Sequence, residues 1–148
     1  MVCSIDKLWK IPLGNGGIYR LSFDNNKIAF YRVFSGKYIE EKLKPEKYDK
    51  VIMSMDVPTA MDPLMPEELY SKINEIIEYF SDEYNKKILS KGVEKSEMEI
   101  KNEKIVLKEK NGISNISIGN ENFILLGKLD IETVNCLKNM YHDNLEII

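Results

Sequence analysis

The sequence has few of the residues from which metal sites and disulfide frameworks are built. Its 148 residues include two cysteines, Cys3 and Cys136, and one histidine, His142. No CxxC motif or Cys/His cluster occurs, which argues against a zinc site and against a disulfide framework. We therefore expect two reduced thiols, no metal ligand and no cofactor, in a protein of the cytoplasm.

Long apolar runs are also missing. The first residues, MVCSIDKLWKIPLG, carry Asp6, Lys7 and Lys10 where a signal peptide would need an apolar centre. No run approaches the ~18 residues of a membrane-spanning helix. The sequence thus predicts neither a leader nor a membrane partner.

Positive charge is in slight deficit. There are 21 Lys and Arg residues against 24 Asp and Glu, a formal net charge of −3. This balance excludes the strongly basic class of nucleic-acid binders but leaves room for local basic patches. The excess acid lies in the segment from Asp56 to Glu99, because residues 51–100 hold 11 acidic side chains against 5 basic ones.

Catalytic motifs are missing as well. The glycine-rich run at residues 14–17 is not followed by GK[ST] or by a helix, as a phosphate-binding loop would be. The single histidine, His142, has no acid–base partner that the sequence dictates. We expect no catalytic residues, and so the chain is predicted not to be an enzyme.

The last third of the chain contains the clearest structural signals. Asn111-Gly112 is a strong hairpin signal, because a type I′ turn needs positive φ at both central residues. This turn sets Leu107 opposite Ile116 and Ile105 opposite Ile118, so that the apolar pairs share one face.

Further strands and a helix are predicted around this hairpin. A turn at residues 102–103 would set Ile100 opposite Ile105, and a loop over residues 119–122 would set Phe123 opposite Ile118. Asp130 is a good N-cap for a helix that runs to about Tyr141.

The first half repeats this order more weakly. A turn at Asn25-Asn26 pairs Phe23 with Ile28, and a second turn at residues 35–36 leads into a strand, KYIEEKL. A strand over residues 51–57 and a helix complete the unit. The apolar stripe of that helix has helical spacing and consists of Leu69, Ile73, Ile76, Ile77, Phe80 and Tyr84.

These patterns predict an α+β fold of tandem ββββα units, with two antiparallel four-stranded sheets that are each followed by a helix. Residues 1–17 would be a lead-in, residues 18–91 the first unit and residues 92–148 the second. Each unit is marginal alone, so we expect one cooperative globular domain.

The tandem ββββα order resembles the Whirly, Pur-alpha and positive-coactivator group of single-stranded nucleic-acid-binding proteins. The resemblance spans about residues 18–141 and is one of topology, without a matching sequence motif. It implies a pseudo-twofold arrangement of the two units and binding of single strands on the sheets.

The outer sheet faces carry cations and aromatic rings at alternating positions, a pattern typical of single-strand binding. The candidate nucleic-acid-binding residues are Arg20, Tyr31, Tyr38, Lys42, Lys104, Lys108 and Lys110. We expect a non-enzymatic single-stranded DNA or RNA binder, and a phage or archaeal origin fits this expectation. The alternative interpretation of these faces is an ordinary solvated surface.

A second hypothesis comes from another class of protein. The chain would be an interaction module, such as a phage inhibitor or a regulatory subunit, that uses its acidic middle segment against a basic partner. Self-association is open under both hypotheses.

Overall fold

The structure, a computed structural model, describes residues 2–10, 15–43, 67–90 and 92–148. Over these residues the chain is α+β, with one mixed sheet of eight strands and four helices. The strands are β1 (Val2–Lys10), β2 (Gly17–Asp24), β3 (Lys27–Ser35), β4 (Glu94–Glu99), β5 (Ile105–Lys110), β6 (Ile113–Ile118), β7 (Glu121–Leu125) and β8 (Leu145–Ile147). The helices are α1 (Gly36–Lys42), α2 (Glu67–Tyr79), α3 (Ser81–Leu89) and α4 (Ile131–Met140).

The sheet is strongly curved. Its order is β4-β3-β2-β1-β7-β6-β5-β8, so β4 and β5 lie six strand spacings apart, which is ~29 Å in a flat sheet. Yet the chain passes from Ile100 to Ile105 in five steps, which reach at most ~18 Å. The sheet must therefore curl until its two ends approach each other. In agreement, the rings of Phe30 on β3 and Phe123 on β7 stack with centroids 5.7 Å apart.

The concave face holds the larger apolar core. Alternating side chains of the strands point into it, among them Leu21, Phe23, Ile116 and Phe123. Helix α4 covers this face, where Leu137 is fully buried. Its N-terminus is capped by Asp130, whose carboxylate accepts a hydrogen bond from the Thr133 amide and whose pKa is lowered by it.

The convex face is covered by the other three helices. Trp9, Ile18 and Ile124, from neighbouring strands in the middle of the sheet, pack against α2 and α3. The helix stripe predicted from the sequence is confirmed for Ile73, Ile76, Ile77, Phe80 and Tyr84, which are all buried. The helix is broken at Phe80, where α2 ends and α3 begins.

The hairpin turns predicted at residues 25–26 and 111–112 are confirmed. In the first half Phe23 pairs with Ile28 and Leu21 with Phe30. In the second half Leu107 pairs with Ile116 and Ile105 with Ile118, around a turn in which Asn111 and Gly112 have φ of 55° and 79°. Register is reliable here because a slip by one residue would turn every apolar side chain outward.

The tandem arrangement of two separate sheets is wrong, since all eight strands belong to one sheet. The predicted turn at residues 102–103 does not pair β4 with β5; β4 returns to the first hairpin instead, where Met98 pairs with Ile28. Residues 2–10, expected as a lead-in, form β1 in the middle of the sheet. The predicted strand over residues 51–57 lies outside the described residues.

Two further local predictions are wrong. KYIEEKL lies in and just after α1, because Ser35 caps the helix by accepting from the Tyr38 amide, and Ile39 and Leu43 are buried one helical turn apart. The turn after β6 has two residues rather than four, so Phe123 pairs with Ile116 instead of Ile118. A shift of two residues keeps Phe123 on the concave face.

The prediction of two reduced thiols is also wrong. Cys3 on β1 and Cys136 on α4 form a disulfide, with Cα atoms 6.3 Å apart. No cysteine-spacing rule identifies such a pair, because 133 residues separate its members. Sheet curvature and the position of α4 bring them together.

We predict that Leu107→Ala lowers the free energy of unfolding by about 2–5 kcal/mol, because it opens a cavity in the concave core. Chemical denaturation of the full chain measures this loss. Val106→Ala is the matched control, since Val106 precedes Leu107 and points to the convex face, where it is half-buried. Equal losses for the two variants would contradict the assignment of the core.

We also predict that reduction lowers the free energy of unfolding by about 2–5 kcal/mol, since the bond closes a very long loop of the unfolded chain. Denaturation with and without dithiothreitol measures the difference. The double variant Cys3→Ser, Cys136→Ser should not respond to the reductant. Two free thiols in the unreduced, denatured protein would show that the bond is absent.

Candidate ligand-binding groove

A β-bulge in β1 determines where α3 lies beside the candidate site. The register against β2 shifts between Ile5 and Leu8, and Lys7 there has φ of 57°. The bulge turns the Lys7 amide out of the ladder toward α3, where it donates to the Tyr84 hydroxyl at 3.2 Å. The Lys7 ammonium donates to the Ser81 hydroxyl at 3.0 Å. These contacts fix α3 over the sheet.

Three functional side chains stand in one row across β2, β3 and β4. Arg20 pairs with Tyr31, and Tyr31 pairs with Lys95. Directly paired residues of neighbouring strands point to the same face and lie ~4.5–5.5 Å apart at Cβ. The row therefore places a guanidinium, a phenol ring and an ammonium side by side on the convex face.

The row lines a groove between the sheet and the C-terminal end of α3. The groove has a volume of about 600 Å³. We call it the Arg20 groove; its lining residues are Arg20, Ser22, Tyr31, Ile88, Ser90, Val93 and Lys95. Cations and hydroxyls lie on the sheet side, and Ile88 and Val93 contribute apolar contacts.

Arg20 is held in place by an ion pair. Its Nε lies 3.2 Å from Asp6 Oδ1, in a geometry that is an ion pair rather than an aligned hydrogen bond. The same carboxylate oxygen accepts from the Tyr84 hydroxyl at 3.0 Å. Burial, more than the nearby Asp6, raises the pKa of Tyr84 well above its usual value, so the phenol stays a donor. Asp6 thus orients the Arg20 side chain, and its carboxylate also competes with a bound anion for the Arg20 guanidinium.

Lys95 has an internal counter-ion as well. Its Nζ lies 2.8 Å from Glu97 Oε1 and 5.7 Å from the centroid of the Tyr31 ring. The hydrogen bond between Lys95 and Glu97 raises the pKa of Lys95 and lowers the pKa of Glu97. Both side chains are about half exposed, so Lys95 can exchange Glu97 for an external anion at little cost.

The structure separates Tyr38 and Lys42 from this groove. Both lie on α1 and not on a strand, which corrects their predicted place on an outer sheet face. Tyr38 stacks on Phe34 with ring centroids 5.4 Å apart, and its hydroxyl donates to Glu83 at 3.2 Å. Lys42 is exposed, with its Nζ 5.6 Å from the Tyr38 ring centroid.

The three lysines of the second half form another group. Lys108 and Lys110 are exposed at alternating positions of β5, as expected. Lys104 precedes β5 and pairs with Glu146 at 2.5 Å. β2 and β5 are four strand spacings apart, or ~19 Å in a flat sheet, and the helices of the convex face lie over the strands between them. Of the seven predicted residues, only Arg20 and Tyr31 share the groove.

Sequence reasoning missed Lys95. A strand was predicted from residue 97 onward, through Met98 and Ile100, and it was assigned to a second sheet, away from Tyr31; the observed strand begins earlier, at Glu94, and so includes Lys95. Its charged, alternating sequence is typical of an edge strand. That signal identifies an edge without identifying the strand beside it.

The glycine-rich run has a structural role at Gly17. Its φ is 136°, and a Cβ atom there would lie 2.0 Å from the carbonyl oxygen of Phe34. Only glycine permits this approach at the start of β2.

Within the described residues, no group of three His, Cys, Asp or Glu side chains is arranged to hold a metal ion. None of the helices in this part of the chain is long and apolar enough to cross a membrane. No protein-family model matches the chain, and comparisons with curated proteins and with solved structures found no match.

Proposed function

We propose that this chain is a non-enzymatic protein that binds single-stranded nucleic acid, with a nucleotide in the Arg20 groove. The observation that carries the proposal is the row of Arg20, Tyr31 and Lys95 along one groove. A single strand needs cations for its phosphates and a ring for its bases, and this row supplies both. The resemblance to the Whirly group does not support the proposal, because it depended on two tandem sheets and the strands form one sheet; no comparison bears on it.

The mode of binding follows from the side chains. The base stacks on Tyr31, and Lys95 leaves Glu97 to meet a phosphate. Arg20, whose Nη2 donates to the Ser4 hydroxyl at 3.5 Å, presents its other terminal nitrogen to a second phosphate while Asp6 holds its Nε. Ser22 and Ser90 offer hydrogen bonds that any base or sugar can use, so binding tolerates many sequences.

We predict that Tyr31→Ala weakens binding of labelled oligo(dT) and oligo(U) by about 1–3 kcal/mol, because base stacking is lost. Fluorescence anisotropy titrations measure the change. Tyr31→Phe keeps the ring and should bind like the unaltered protein. If the Ala variant also binds equally well, Tyr31 does not stack on a base.

We predict the opposite change for Glu97→Gln. It removes the carboxylate that competes with the phosphate for Lys95, so affinity should increase and the slope of log K against log salt should steepen, by at most about one unit. Glu99→Gln is the matched control, because Glu99 is an exposed acid on the same strand and has no resolved interaction with Lys95. Equal gains from both variants would indicate a general charge effect and not release of Lys95.

The decisive experiment is a titration of the full chain at low salt, where phosphate contacts are strongest. Absence of any anisotropy change at high protein concentration would overturn the proposal. The protein-interaction hypothesis would then take its place, with a basic protein as partner of the segment from Asp56 to Glu99. Of that segment, the structure describes residues 67–90 and 92–99, where Glu75, Glu78 and Asp82 are exposed.

The expected location, the cytoplasm, was inferred from two reduced thiols, and the disulfide between Cys3 and Cys136 counts against it. Disulfides persist mainly in oxidising compartments. The test of the location is to isolate the protein from its own host under acid quench, which preserves the thiol state, and to count its free thiols.

A further inference from the structure

The disulfide and the Arg20 groove are connected through one short stretch of β1. Cys3 and Ser4 are successive residues of this strand, so their side chains point to opposite faces of the sheet. Cys3 lies in the concave core, where its sulfur is bonded to Cys136 of α4. Ser4 pairs with Ser22, which lines the Arg20 groove on the convex face. The bond is thus attached directly behind the floor of the groove.

This stretch positions the sheet side of the groove. The Nη2 of Arg20 donates to the Ser4 hydroxyl at 3.5 Å, and the Nε of Arg20 lies 3.2 Å from Asp6 Oδ1. Both contacts come from β1. The position of the guanidinium therefore depends on the position of residues 4–6.

The same stretch positions the helix side of the groove. The hydroxyl of Tyr84 on α3 donates to Asp6 at 3.0 Å and accepts from the Lys7 amide at 3.2 Å. The Lys7 ammonium donates to the Ser81 hydroxyl at 3.0 Å. Both walls of the groove therefore depend on this part of β1.

The first half of β1 is paired along one side. It pairs with β2 from Val2 to Ile5. On its other side, in the part of the chain that the structure describes, the ladder with β7 is limited to Trp9 opposite Ile124. Backbone that is paired on one side opens locally more easily than backbone paired on both sides. The disulfide connects this half of β1 to α4 and so restrains that opening.

We propose that the Cys3–Cys136 disulfide is a redox switch for the Arg20 groove, which binds its ligand more tightly in the oxidised protein than in the reduced one. This inference rests on the proposed function, because the ligand is the single strand. In the reduced protein residues 2–7 open locally, so Arg20 loses its two contacts and α3 is no longer fixed. The ligand then has to order these groups when it binds, which weakens binding.

Release of Asp6 acts in the opposite direction, because its carboxylate competes with a phosphate for Arg20. This competition involves one ion pair whose carboxylate side chain is half exposed, and such pairs contribute little. The loss of order involves Arg20 and the whole of α3. The second effect therefore decides the sign.

The reductant of the switch is a dithiol. One of its thiolates attacks the Sγ of Cys136, which is half-buried while Cys3 is 5% exposed. The S–S bond breaks and Cys3 leaves as a thiolate. The second thiolate of the reductant then displaces Cys136 from the mixed disulfide. In total two electrons and two protons pass to the protein, which gains two thiols, and the reductant becomes a disulfide.

Anisotropy titrations of labelled oligo(dT) with the full chain, before and after treatment with dithiothreitol, test the switch. We predict that reduction raises the dissociation constant about two- to tenfold, which is the cost of ordering one long side chain, and that reoxidation restores it. The double variant Cys3→Ser, Cys136→Ser should bind weakly under both conditions. Leu107→Ala is the matched control for lost stability: it should bind like the unaltered protein and still respond to the reductant. Unchanged or tighter binding after reduction would overturn the proposal.

Hydrogen exchange of the protein without oligonucleotide separates the switch from the proposed function. At short labelling times reduction should increase deuterium uptake in residues 2–7 and in α3, but not in β6, which has a strand on each side. If the oxidised protein does not bind oligo(dT), the proposed function fails, and uptake alone decides whether the bond controls both walls of the groove. If it binds and reduction changes neither binding nor uptake, the proposed function stands and the switch fails. An equal increase in β6 would show general loosening and would also overturn the switch.

Discussion

The short connection from Ile100 to Ile105 constrains the whole molecule. It joins strands that are six spacings apart in the sheet, so the sheet has to curl around its own apolar face. Asn144 strengthens this closure, because its side-chain amide donates to the Ile100 carbonyl at 3.3 Å. The curvature brings Phe30 to Phe123 and creates the concave space in which α4 packs.

Curvature also explains why the two faces serve different purposes. The concave face is occupied by side chains of the sheet itself and by one helix. Among the described residues, α1, α2 and α3 cover the convex face, and where α3 ends at Leu89 a groove lies over strands β2, β3 and β4. The Arg20 groove is this opening, and the bulge at Lys7 fixes its boundary by fixing α3.

Local structure was predictable from the sequence, and the assembly of the strands was not. The hairpins around residues 25–26 and 111–112 depend on turn chemistry and alternation within a dozen residues, and their registers were correct. The pairing of β3 with β4 joins segments about 60 residues apart, and no local signal specifies it. For the same reason Arg20 and Tyr31, which one hairpin connects, were correctly placed together, while Lys95 was missed. α1 was predicted as a strand because its Tyr and Ile residues favour strands and were given more weight than the Ser35 N-cap, which favours a helix.

The central position of β1 affects how the chain folds during synthesis. β1 can pair with β2 as soon as the first hairpins have left the ribosome, but its other neighbour, β7, is made more than 100 residues later. Until then the edge of β1 that later pairs with β7 at Trp9 has no neighbouring strand, and the sheet is incomplete. Such long-range pairing slows folding and exposes apolar surface on the way. A nascent chain of this protein therefore keeps one side of its central strand unpaired until β7 has been made.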